Sequence, residues 1–172
     1  MAAPTPRAEV IAETLVDLIR QQVIEGDDYH YTPDRVERAH AFTKEVLLGG
    51  HDVIYILSPA EQEDTEQTYV DTEGLARLDL TVARRLRAAT EDPLKRTEGD
   101  ELRWTVQNNL VHDAKKAIRG DKKLTSADYP DGVALHTSIP LTELSAEDTY
   151  LPGWALAYMA LEVMFSFPDA QP

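Results

Sequence analysis

The apolar residues between Trp154 and Phe167 constrain the fold of this chain more than any other stretch. Met159, Leu161, Val163, Phe165 and Phe167 share one parity, while Tyr158, Glu162 and Ser166 share the other. A helix would carry Glu162 into its apolar ring, whereas a strand sends alternate side chains to opposite faces. The alternation predicts a strand, even though Ala155, Leu156, Ala157, Met159 and Ala160 are good helix formers. Such a strand needs a sheet to receive it and an apolar layer to cover one face.

The rest of the chain supplies both. Val53-Ile-Tyr-Ile-Leu57, bounded by Gly49-Gly50 and Ser58-Pro59, is short and rich in β-branched residues, as expected of a central strand buried on both faces. Leu78, Leu80 and Val82 alternate with Arg77, Asp79, Thr81 and Ala83, the period of a half-buried strand. Val133 to Ile139 reads as a further strand, entered through the turn Tyr129-Pro130-Asp131-Gly132 and stopped by Pro140. Ile11, Leu15, Leu18, Ile19 and Val23 recur at helical spacing, so residues 7–25 form an amphipathic helix ended by Gly26. Leu102, Val106, Leu110, Ala114, Ala117 and Ile118 mark a second helix, preceded by a polar turn around Pro93 and Gly99 and closed by Gly120 as a left-handed cap. Residues 27–49 carry signals of both a helix start and a strand. The expected fold is α+β: a single domain over residues 1–172, with a mostly antiparallel four- to five-stranded sheet and two main helices on one face. Residues 1–6 and 168–172 are expected to be flexible termini, and 59–74 an exposed acidic loop or hairpin arm.

Charge narrows the function. With 31 acidic against 17 basic side chains over 172 residues the chain stands at −14, so free DNA is repelled overall and simple nucleic-acid binding is excluded. The charge is uneven: residues 1–74 sum to −11, 75–123 to +4 and 124–172 to −7. Arg84, Arg85, Arg87, Lys95 and Arg96, joined by Lys115, Lys116, Arg119, Lys122 and Lys123, form the one basic concentration, with Trp104 the lone aromatic residue among them. Glu61, Glu63, Asp64, Glu66, Asp71 and Glu73 form an acidic run without a base. A basic centre between acidic ends suits contact between copies of the chain, with Arg84, Arg85, Arg87, Lys115, Lys116 and Arg119 at the subunit interface against an acidic partner surface such as the acidic run of a neighbouring copy. The absence of an 18-residue apolar run argues against a spanning helix, and Met1 to Arg7 lacks the start of a signal peptide, which places synthesis in the cytoplasm.

Motifs that carry chemistry are missing. No phosphate-binding loop, dinucleotide turn, nucleophile elbow or His-Glu-x-x-His pair occurs, and the chain has no cysteine for thiol or iron–sulfur chemistry. His51-Asp52 and His112-Asp113 resemble the pairs of metal-dependent phosphohydrolases. One would lead into a strand and the other lie on a helix, so surface histidines account for them better than a metal centre. No catalytic residue, metal or cofactor is expected.

The opening helix Arg7 to Glu25 and the strand Asp52-Val-Ile-Tyr-Ile-Leu-Ser-Pro59 are followed by an acidic connector into Ala76-Arg-Leu-Asp-Leu-Thr-Val82. The helix Glu101 to Arg119 and the closing Gly153 to Phe167 complete a pattern over most of the chain. In this order the chain resembles the tail-terminator, or tail-completion, proteins of long-tailed bacteriophages. Residues 27–49 and the long connection 140–152 depart from that pattern. The resemblance implies a structural virion protein of the tail and neck, assembled in the host cytoplasm. It would form a six-fold ring that caps the tail tube, ends tube polymerisation and docks to the head. Its implied partners are further copies of itself, the tail tube protein and the head–tail connector protein, with genomic DNA passing through unbound and no membrane involved. The alternative is an acidic cytoplasmic adaptor, or a DNA mimic that inhibits a nucleic-acid-binding protein.

Overall fold

A computed structural model describes residues 7–39, 50–59, 73–86, 96–145 and 153–166. Its elements run α1 (Arg7–Gln22), β1 (Arg35–Arg38), β2 (Val53–Pro59), β3 (Glu73–Arg85), α2 (Arg96–Gly120), β4 (His136–Leu144) and β5 (Trp154–Ser166). The strands form one mixed sheet in the order β1-β2-β3-β5-β4, with β1 parallel to β2 and every other pair antiparallel. The expected α+β fold is therefore present, with both helices packed on the sheet.

The period-two pattern explains the layering. β3 and β5 pair along their full lengths, from Glu73 opposite Ser166 to Arg85 opposite Trp154. This register puts Ala76, Leu78, Leu80 and Val82 beside Ala157, Met159, Leu161 and Val163 on the face that the helices cover. Val53, Tyr55 and Leu57 extend that layer, α1 fills it with Ile11, Leu15 and Ile19, followed by Val23 just beyond the helix, and α2 with Val106, Leu110, Ala114 and Ile118. The buried Gln107 side chain donates to the Ser145 and Leu156 carbonyls, both at 2.7 Å, and so ties α2 to the end of the β4–β5 ladder. On the opposite face Ile54, Ile56, Ala83, Trp154 and Leu156 form a smaller buried cluster. Farther along that face Leu75, Leu141, Tyr158 and Met164 stand exposed.

The structure corrects several boundaries. The undecided segment 27–49 contributes β1, a four-residue edge strand, over Arg35–Arg38. β2 is interior and buried on both faces as expected, but β3 is the middle strand. α1 ends at Gln22 and α2 begins at Arg96, so Gly99 lies within the helix and not in a preceding turn. Gly120 ends α2, but the left-handed conformation falls on Leu124 (φ 54°), whose full burial offsets the strain. β4 does not stop at Pro140. Val133 and Ala134 are bonded to Leu124 and Lys123, which delays the ladder until His136, and the strand then continues to Leu144. Pro140 falls within a register shift between Ser138 and Leu141 on an edge strand, where a missing N–H sacrifices little.

Candidate functional site

α2 carries most of the chemistry visible on the surface. Its buried residues face the sheet, leaving an outward strip of Trp104, Asn108, His112, Lys115 and Arg119 at spacings of three and four. Trp104 is 63% exposed, unusual for so large an apolar side chain. Arg119 and, in the turn beyond, Lys122 and Lys123 are exposed, and Lys115 is half-buried. These cations lie at the helix C-terminus, where the unsatisfied carbonyl groups favour positive charge.

The remaining expected interface residues are dispersed. Arg84 and Arg85 are neighbours in β3 and so point to opposite faces of the sheet. The Arg84 guanidinium stacks 4.0 Å from the Tyr31 ring centre, and that of Arg85 lies 5.2 Å from the ring centre of Trp154. Both help hold the fold together. Lys116 is bonded to the Asp28 carboxylate and to its carbonyl oxygen. Its hydrogen bond and positive charge lower the Asp28 pKa below the ordinary carboxylate value, so this pairing stabilises the fold above that value and is lost in strong acid. Arg87, Glu61, Glu63, Asp64, Glu66 and Asp71 lie outside the described residues, and Glu73 opens β3.

Beside the strip lies a cleft of about 620 Å³ lined by Asp27, Asp28, Tyr29, His30, Asn108, Asn109, His112 and Lys116. Under it, Asp113 is fully buried. Its Oδ2 accepts the backbone N–H groups of His30 at 2.9 Å and Tyr31 at 3.1 Å, and Oδ1 lies 2.7 Å from His30 Nδ1. The His30 ring meets His112 edge-on at 5.5 Å, and Asn109 donates to the Tyr31 hydroxyl at 3.3 Å. The set works as a clamp that fastens the segment before β1 onto α2. No spacing in the sequence signals the His30–Asp113 link, because its ends are 83 residues apart. His51 and Asp52 do not join His112 and Asp113, and among the described residues no three His, Cys, Asp or Glu side chains group so as to hold a metal ion.

Deeper still, the hydroxyl of Tyr55 is buried without a hydrogen-bond partner among the described residues. Burial raises its pKa, and the nearby Asp113 and Tyr31 add to the shift, so the phenol stays neutral. An orphaned hydroxyl costs stability, so Tyr55→Phe is expected to raise the unfolding free energy by about 1 kcal/mol in urea titration. A loss of stability would show that the hydroxyl is satisfied in solution.

No protein-family model matches the chain, and no curated protein matches it significantly.

Proposed function

We propose that this protein is a structural component of a phage virion, a tail terminator that forms a ring on the tail tube, ends tube polymerisation and docks to the head. The observation that carries this reading is the cationic end of α2 and the turn beyond it, with exposed Arg119, Lys122 and Lys123 beside half-buried Lys115 on a chain of net charge −14. A concentrated positive surface on so acidic a chain is matched by acidic surface on another copy. Contacts between unlike surfaces repeat from copy to copy and close into a ring when the rotation allows. The acidic remainder suits a channel through which DNA slides, because it avoids the counterion-releasing contacts that would arrest it.

Sedimentation and light scattering test the proposal. Rings are expected at low ionic strength, with dissociation as salt rises, and the protein should cap the ends of purified tail tubes. Joint Lys115→Glu and Arg119→Glu substitution is expected to weaken assembly at least tenfold while the circular dichroism of the monomer is unchanged. A protein that remains monomeric at every ionic strength and ignores tail tubes overturns this reading.

A further inference from the structure

Among the described residues no helix covers the second face of the sheet, and beyond the buried cluster of Ile54, Ile56, Ala83, Trp154 and Leu156 that face is not uniformly polar. Leu75 pairs with Met164 at one end, Leu141 lies opposite Ala160 farther along, and Tyr158 pairs with Glu143 next to it. Leu75, Leu141, Tyr158 and Met164 are 45%, 52%, 41% and 41% exposed, and the ion pair between Arg77 and Glu162 and the half-buried Asp79 lie between them. Single exposed apolar side chains are ordinary, but several on one face mark a contact surface. The sheet edges are poor alternatives. β1 has only four residues, and β4 carries Pro140 and a register shift, both of which blunt strand pairing.

The outward strip of α2 matches this face in length, order and charge. From Met164 to Tyr158 the face extends roughly 20 Å along the strand. From Trp104 to Lys115 and Arg119 the strip extends roughly 16 to 22 Å along the helix. The face is apolar at Leu75 and Met164 and acidic at the exposed Glu143, while the strip is aromatic at Trp104 and cationic at Lys115 and Arg119. Laid together in that order, Trp104 meets a methionine thioether and the cations meet a carboxylate.

We infer that the exposed face of β3, β5 and β4 around Leu75, Leu141, Tyr158 and Met164 in one copy is covered by the outward strip of α2 in the next. This rests on the ring reading and specifies its subunit contact: helix layer against the exposed part of the sheet, head to tail. Such a contact uses two different surfaces of the same chain, so defects in each can be separated. Leu141→Lys or Tyr158→Glu spoils the face and leaves the strip intact, and Trp104→Ala with Arg119→Glu spoils the strip and leaves the face intact.

Each class of variant, shown to be folded by circular dichroism, is expected to sediment as a monomer at low salt. A one-to-one mixture of the two classes is expected to form a heterodimer and nothing larger, since one intact face and one intact strip remain. If the wild type forms rings and either class assembles with unchanged affinity, the contact lies elsewhere and this inference fails while the ring reading stands. If both classes are monomeric and their mixture is too, the contact is not head-to-tail and the inference also fails. A wild type that is monomeric throughout overturns both.

Discussion

Asp113→Ala is expected to lower the unfolding free energy by about 3 kcal/mol, measured by urea denaturation. The carboxylate is fully buried, and three donors converge on it: the His30 and Tyr31 backbone N–H groups and the His30 ring. Removing it strands two backbone donors at the base of the cleft, and a stranded buried donor loses its water without gaining a partner. Asp113→Asn keeps the shape but replaces one acceptor with an NH₂ donor. Its expected cost is smaller, about 1 to 2 kcal/mol. The same substitutions should speed amide hydrogen exchange at His30 and Tyr31 more than in the β3–β5 ladder, because the clamp holds one segment onto α2. A loss below about 1 kcal/mol for Asp113→Ala would show that the clamp is not needed for stability.

Gly132→Ala is expected to cost a similar amount, about 3 kcal/mol, for a different reason. Gly132 closes the turn that begins at Tyr129, donating its N–H to the Tyr129 carbonyl at 3.0 Å, and its φ is +93°. A side chain is strained at that angle, and an added Cβ would also lie 2.4 Å from the Lys123 carbonyl oxygen. That oxygen is already committed, since it accepts the Ala134 N–H at 2.9 Å, so the backbone has little freedom to withdraw. Gly153 provides the control. Its φ is +82°, but nothing among the described residues lies within 4 Å of an added Cβ. Gly153→Ala should therefore cost only the conformational part, about 1 kcal/mol. Thermal melts of the two variants separate the contributions, and equal losses would show that the contact with Lys123 relaxes away.

Much of the fold was legible because its signals are local. The strands at Val53–Pro59 and Trp154–Ser166 follow from runs and alternation within a few residues, and both helices follow from apolar spacing. β1 was not legible: four residues are too few to show a period, and what makes Arg35–Arg38 a strand is its pairing with β2. Pro140 misled for a related reason. A proline ends a strand only where its missing N–H is needed, and that depends on β4 lying at the sheet edge.

The candidate site was less legible. The basic residues were visible, yet Arg84 and Arg85 proved to stand on opposite faces, Arg84 stacked on Tyr31 and Arg85 over Trp154. The sequence by itself determined both helices, the longer strands, their amphipathic faces and a cationic centre in an acidic chain, because those properties depend on neighbours two to four residues away. Only the tertiary structure decided that Asp113 holds His30, that Leu75, Leu141, Tyr158 and Met164 stand exposed on one sheet face, and that Trp104, Lys115 and Arg119 share an outward strip. These depend on strand order and helix placement, which bring together distant residues such as His30 and Asp113, 83 positions apart.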